Sequence, residues 1–274
     1  MNVKAQGLVR RMFECVTSSA EIRCTHHSHT EHMSISSRFR FALLLGVVVT
    51  QACNPIYYSP NTQLVPLLSG KGDHSIAIAG NNTRGELQAA YAVGNQFALG
   101  VTGGRFRQKD NSSGDGGSGT FGEVAVGYFQ NITDHVVFEA YGLYGMGNVE
   151  NHFKSSVAAN PGTDGKIAAD LTRFGVQPAL GYRGKLFEAA ISARVASLSY
   201  SNPQGTLVFD RLNQANYLKS NDQMWLAEPA LTLRAGAQFL KLQLQIGRSV
   251  NLTNSDFRQD KSHATIGIVY RPSR

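Results

Sequence analysis

The sequence has no apolar run near the length of a membrane-spanning helix. The nearest candidate, Phe41 to Val49, is nine residues long, and a spanning helix needs about 20. A helical integral membrane protein is therefore excluded. Cysteine is scarce: three in 274 residues cannot staple a fold of this size. Charge is scarce too, at 16% Asp, Glu, Lys and Arg against roughly 25% in an ordinary soluble domain. The net charge of +7 owes much to residues 1–40, which hold six Lys/Arg and three Glu. The 20 basic and 16 acidic residues beyond them are scattered. No basic block remains to mark a nucleic-acid partner. What is present is 42% hydrophobic residues and 28 glycines, too apolar for a disordered chain and long enough for one large domain. The expected class is all-β.

Arg38 and Arg40 precede the apolar run, and Thr50-Gln51-Ala52-Cys53 follows it. A charged segment, a short apolar segment and a small residue before a cut form an export signal. Cys53 resembles the acceptor cysteine of a bacterial lipoprotein signal, which implies lipidation at Cys53 and a mature chain that starts there. Residues 1–52 are thus read as leader and signal peptide. Residues 1–32 do not fit a signal, and Met33 is a natural start. His26, His27, His29 and His32 form a tract of metal-ligand type, but a discarded leader needs no ligand. No metal or cofactor is expected.

Residues 53–72 are punctuated by Pro55, Pro60, Pro66 and Gly72 and read as an extended periplasmic tether or partial plug. Over 73–274 the chain shows ten segments of alternating polarity: 73–80, 84–93, 96–107, 118–130, 133–149, 166–183, 185–200, 222–237, 240–250 and 262–270. Short links such as Gly94-Asn95, Asn131-Ile132, Gly184 and Gln238-Phe239 alternate with long polar ones at 108–117, 150–165, 201–221 and 251–261. Short periplasmic turns alternating with longer outer loops mark a transmembrane β-barrel. The expected fold is a closed antiparallel up-and-down barrel of about ten strands.

Parity sorts each segment into two faces. In 166–183, Arg173, Gly175, Gln177, Ala179, Gly181 and Arg183 oppose Phe174, Val176, Pro178, Leu180 and Tyr182. In 240–250, Lys241, Gln243 and Gln245 oppose Leu240, Leu242, Leu244 and Ile246. Aromatics cluster at the short turns: Tyr91, Phe97, Tyr128, Phe129, Tyr182, Phe187, Phe239 and Tyr270. Rings at one height form the girdle of a membrane interface, so the apolar face is assigned to lipid. The lumen then holds Glu86, Glu123, Glu139, Glu188 and Glu228 with Arg173, Arg194 and Arg234, joined by Arg84 and Arg183. Unpaired charges are costly there. We expect a cross-lumen ion-pair network that partly plugs the barrel; the alternative is a wide aqueous pore lined by the same groups. Pro178 and Pro229 cannot donate to a ladder, so bulges are expected at both.

Chemistry-bearing residues near the predicted outer rim are Asp110, Asp115, His152, Asp164, Asp210, Asp222, Asp256 and His263. They match no paired protease motif. Ser262-His263 invites a hydrolase reading, but adjacent strand residues face opposite sides. No catalytic residue is expected.

The stretch Tyr57-Tyr58-Ser59-Pro60-Asn61, then Val65-Pro66-Leu67-Leu68 and Lys71-Gly72, precedes a strand Glu86-Leu87-Gln88-Ala89-Ala90-Tyr91-Ala92. Together with Gln177-Pro178 and Gly181-Tyr182 it resembles a largely uncharacterised group of outer-membrane β-barrel proteins from Bacteroidetes-type bacteria, over most of 53–274. The resemblance implies fold and bacterial outer-membrane location rather than activity. The expected role is structural or passive transport through a narrow pore. The expected partners are outer-membrane lipid, the barrel-insertion machinery and small solutes. The alternatives are a membrane-tethered soluble lipid-binding barrel and an outer-membrane barrel hydrolase.

Overall fold

The computed structural model describes residues 54–108, 114–154 and 164–272. The leader, Cys53 and the rim candidate Asp110 lie outside the described residues. The barrel wall is built from β1 (His74–Asn81), β2 (Arg84–Ala92), β3 (Phe97–Gln108), β4 (Gly116–Asn131), β5 (Val136–Phe153), β6 (Gly165–Arg183) and β7 (Phe187–Gly205). The connection after β7 carries a small hairpin, β8 (Val208–Phe209) and β9 (Leu212–Asn213), and one short helix, α1 (Gln214–Lys219). The wall resumes with β10 (Gln223–Gly236), β11 (Leu240–Arg248) and its continuation β12 (Val250–Asn251), and ends with β13 (Ser262–Tyr270). Each neighbour pair is antiparallel, and the seam closes where β1 pairs with β13, Ile76 opposite Tyr270. The result is a closed barrel of ten long strands.

The wall is uneven. Strands β6 and β7 have 19 residues each, whereas β1 has 8 and β2, β11 and β13 have 9 each. A tilted strand crosses a bilayer with about 9–11 residues. The tall side therefore rises well past the apolar belt, toward the long loops.

Within β5, β6 and β7 the polarity of the two faces reverses part-way up, although the pleat runs on unbroken. In the lower part the outward residues Tyr144, Met146, Phe174, Val176, Ile191 and Val195 are exposed apolar groups, while Arg173, Gln177, Glu188 and Arg194 are buried. Higher up, Asn148, Glu150, Lys166 and Asp170 face out, and Val149, Ile167, Ala169, Leu171 and Leu198 are buried. The apolar side of the pleat is thus outside in the lower wall and inside in the upper one. The expectation of a hydrophilic lumen holds in part, and at belt level only: even there Leu64 and Leu68 pack with Phe129, Tyr141 and Leu143, and Val65 and Leu67 with Val137. Above the belt lies an ordinary apolar core, closed by Leu207, Phe209, Leu218 and Phe257 from the long connections.

Three further expectations need correction. Phe129 is fully buried: it is one residue out of phase with the girdle, in which Tyr91, Phe97, Tyr182, Phe187, Phe239 and Tyr270 are exposed. Neither proline sits in a bulge. Pro229 pairs with Ala193 in continuous register, and the β6–β7 ladder skips Gln177 and Pro178 without shifting. A missing N–H is met by leaving a rung out; the one register shift of that pair falls between Ala168 and Asp170. Finally, residues 54–68 are no tether. Almost all are buried, and they run inside the barrel.

Candidate functional site

The internal segment, residues 54–72, is a strap threaded along the lumen. Asn54 is exposed. Next to it, Tyr57 N–H donates to the Arg258 carbonyl (3.0 Å), its hydroxyl donates to Gln214 Oε1 (2.8 Å), and its carbonyl accepts from Tyr200 Oη (2.9 Å). Gln214 and Arg258 belong to the long connections, so this is the long-loop mouth. At the other end Ser69 accepts from Asn131 Nδ2 (2.8 Å), and Gly72 N–H donates to the Ala92 carbonyl (2.8 Å). Those residues flank the short turns. The strap thus enters at the long-loop mouth, leaves at the short-turn mouth and turns back into β1.

Apart from one parallel bridge of Tyr58 to Gln259, the extended strap has no sheet partner, which leaves each N–H and C=O to be satisfied by something else. The wall side chains do this almost residue by residue. Asn151 brackets Ile56, accepting from its N–H (3.1 Å) and donating to its carbonyl (3.0 Å). Thr62 N–H donates to Glu86 Oε2 (2.8 Å), and Gln88 donates to the Thr62 carbonyl (2.7 Å). Gln245 treats Gln63 as a neighbouring strand would, accepting from its N–H (2.6 Å) and donating to its carbonyl (3.1 Å). The carbonyls of Leu64 and Val65 accept from Gln177 Nε2 (2.7 Å) and Arg234 Nη2 (2.6 Å). Leu68 N–H donates to Glu139 Oε1 (3.0 Å). Pro60 and Pro66 have no N–H to satisfy, which suits a segment without a ladder.

The predicted lumen charges divide into sets. Arg173 pairs with Glu123 (2.6 Å) and lies over the Phe121 ring, 4.3 Å from its centre. Arg194 pairs with Glu228 (3.2 Å) and is held by Gln177 (3.1 Å). Arg234 pairs with Glu188 (3.4 Å), which also takes Arg271. Glu86 lies 3.8 Å from Arg84, whereas Glu139 serves the strap backbone. Arg194–Glu228 and Arg234–Glu188 join the neighbouring strands β7 and β10, Arg173–Glu123 reaches from β6 past β5 to β4, and Arg271 reaches Glu188 from the end of β13. The strap ties the sets together: Asn61 Oδ1 accepts from both Arg173 (2.7 Å) and Arg194 (2.8 Å), and Tyr58 Oη links Arg173 (2.6 Å) to Glu228 (2.8 Å).

The fit is tight. Gly100 and Gly181 face Leu64 and Leu67, and a Cβ at either would collide with the leucine side chain. Leu67 itself has φ 51°, a left-handed conformation uncommon outside glycine, which bends the strap toward the lower mouth. A cavity beside Leu64, Val65 and Pro66 measures about 10 Å³, space for about one water at most. At the upper mouth Ser59 Oγ and Arg84 meet the Asp260 carboxylate. Burial lifts the Asp260 carboxyl above its ordinary value, against the opposing pull of Ser59 and Arg84.

The rim candidates do not converge. Asp115 accepts from the Lys154 N–H (2.9 Å), Asp210 lies 3.7 Å from Arg258, and His263 is buried inside while Ser262 is exposed outside. No group of three metal-ligating side chains occurs among the described residues. Sequence reasoning missed Asn61, Asn151, Gln245 and Gln214 as site residues. Their signal was indirect: three prolines in a segment with polar residues between them need partners from elsewhere.

Among solved structures the chain is similar to the KdgM porin, at 9% identity over 72% of this chain and 98% of that one, with a TM-score of 0.32. It is similar to LpxR from Salmonella typhimurium at 10% identity, over 73% of this chain and 99% of that one, TM-score 0.32. The NanC porin matches at 12% identity with the same coverages and score. No protein-family model and no curated protein matches.

Proposed function

We propose that this protein is an outer-membrane β-barrel whose lumen is occupied by its own N-terminal strap, with a structural role. Solute passage through it requires the strap to move first. The observation that carries this reading is the joint arrangement of the two faces. Large apolar side chains stand exposed around the belt, an arrangement that only lipid makes favourable, while many of the polar groups inside bond the strap. A soluble lipid-binding barrel needs the opposite, an apolar lumen and a wet wall. A hydrolase built on Ser262 and His263 needs them on one face, and they stand on opposite faces.

The short turns are taken as periplasmic and the long connections as external, and insertion is assigned to the cell's barrel-insertion machinery. Lipidation at Cys53 remains part of the proposal, with its side revised. Because Asn54 stands at the long-loop mouth, acyl chains on Cys53 enter the outer leaflet. A strap fixed by lipid at one end and by β1 at the other can flex but cannot be withdrawn, which favours a structural role over an open channel. Planar-bilayer recording tests the reading: the wild-type protein is expected to give no large stable steps, and such steps would overturn it. Incorporation of labelled fatty acid, lost in Cys53→Ala, tests the anchor separately.

A further inference from the structure

The rung left out at each proline has a consequence on the lipid side. The register places Pro178, Ala193, Pro229 and Arg248 in one row across β6, β7, β10 and β11, with Ser262 of β13 next to Arg248. All five are exposed on the outer wall. Small and ring-shaped side chains along the row, with Gly247 beside it, leave a cleft of about 740 Å³ between Phe138, Leu180, Ile191, Leu231 and Ile246. The row crosses the strands at right angles and the strands tilt, so the cleft runs obliquely down the wall. Its upper end is Arg248, which follows the outward-facing Leu240, Leu242, Leu244 and Ile246 of β11. Arg248 is the one charged group lining the cleft, and among the described residues it has no ion-pair partner.

We propose that this cleft binds one membrane lipid whose phosphate-bearing headgroup has a net negative charge. The phosphate takes the Arg248 guanidinium, with the Ser262 hydroxyl beside it, and one acyl chain lies along the Pro178–Ala193–Pro229 row. Two features favour this occupant over general annular lipid. Shallow apolar recesses also lie on β1–β3 and on β1, β11 and β13, but those carry no Arg or Lys, whereas this one ends on Arg248. A lone guanidinium at the edge of the belt favours a headgroup of net negative charge over one whose phosphate is already balanced by its own cation. Spanning the four strand spacings from β11 to β5 covers roughly 19 Å, a length one fatty-acyl chain can follow. This inference rests on the membrane-spanning reading.

The test is native mass spectrometry of the detergent-extracted full chain, supplied with dioleoyl phosphatidylglycerol or dioleoyl phosphatidylcholine as probes. One phosphatidylglycerol is expected to stay bound, with about a tenfold preference over phosphatidylcholine, the scale of one charge-assisted contact. Arg248→Gln is expected to erase the preference, and Ala193→Phe, which fills the channel, to release either lipid. Equal retention of both lipids by the wild type, or wild-type selectivity in Arg248→Gln, overturns the proposal. So does a dimer in place of the lipid adduct, which would make a second copy the occupant. Heat-modified gel migration of each variant separates the two layers: its presence without lipid selectivity sinks this inference alone, and its absence in the wild type sinks the membrane reading beneath it.

Discussion

Arg194 illustrates what the lumen demands of a single residue. It is fully buried, and its guanidinium is divided among Glu228, Gln177 and Asn61. Removing one member of a buried pair strands the other charge, at a cost of about 3–5 kcal/mol. Arg194→Met is therefore expected to lower the denaturant midpoint of the folded barrel strongly. Adding Glu228→Leu should recover part of the loss, because the stranded carboxylate is gone; a double variant no better than the single one would show that the pair is not the origin. Asp260 gives the pH counterpart at the upper mouth. Its folded pKa is raised by burial, so its contribution is fully present below the unfolded carboxyl value and is lost as pH rises through the folded one. Thermal stability of the strap mouth is expected to fall across that window. Asp260→Asn should flatten the profile, and an unchanged profile would remove Asp260 as its source.

At the scale of elements, the strap and the wall are complementary in a way that can be broken from the wall side. Gly181→Val places side-chain carbons where Leu67 lies. The expected result is a barrel that still closes, because β6 keeps its register with β5 and β7, but whose strap is displaced at the lower mouth. Single-channel conductance should rise from the wild-type baseline, and the strap should become sensitive to added protease. A silent, protease-resistant Gly181→Val barrel would mean that the strap tolerates the added bulk or that other groups close the lumen. The alternation along β6 and β7 was legible from parity alone, down to the inward position of each Arg and Glu. The strap was not, because Thr62, Gln63 and Leu64 carry no periodic signal and their partners on the wall are more than 20 residues away.

For the whole molecule, the reversal of polarity up the tall strands marks where the lipid should end. Val126→Arg, on the exposed belt of β4, is expected to cost about 2–4 kcal/mol of barrel stability in a bilayer. Glu150→Arg, on the exposed upper wall of β5, should change it by less than about 0.5 kcal/mol. Folding measured in vesicles reads both, and equal effects would place the belt elsewhere.

Strand number, approximate strand ends, the alternation of short and long connections and the two faces of the belt were all determined by sequence alone. Each is a local property, set by a side-chain period of two and by turn residues within a few positions. Tertiary structure alone decided three things. It put the proline-rich segment inside the barrel, since only a closed wall brings Gln245, Gln177 and Asn151 to a backbone with no strand beside it. It chose the partner of each lumen charge, setting Asn61 and Tyr58 of the strap between Arg173, Arg194 and Glu228, since the centre was already filled. It buried apolar residues above the belt, since a side of the pleat becomes interior or exterior only when the solvent at that height is known. A residue's face follows from its parity, but what that face meets depends on the rest of the molecule and on the medium around it.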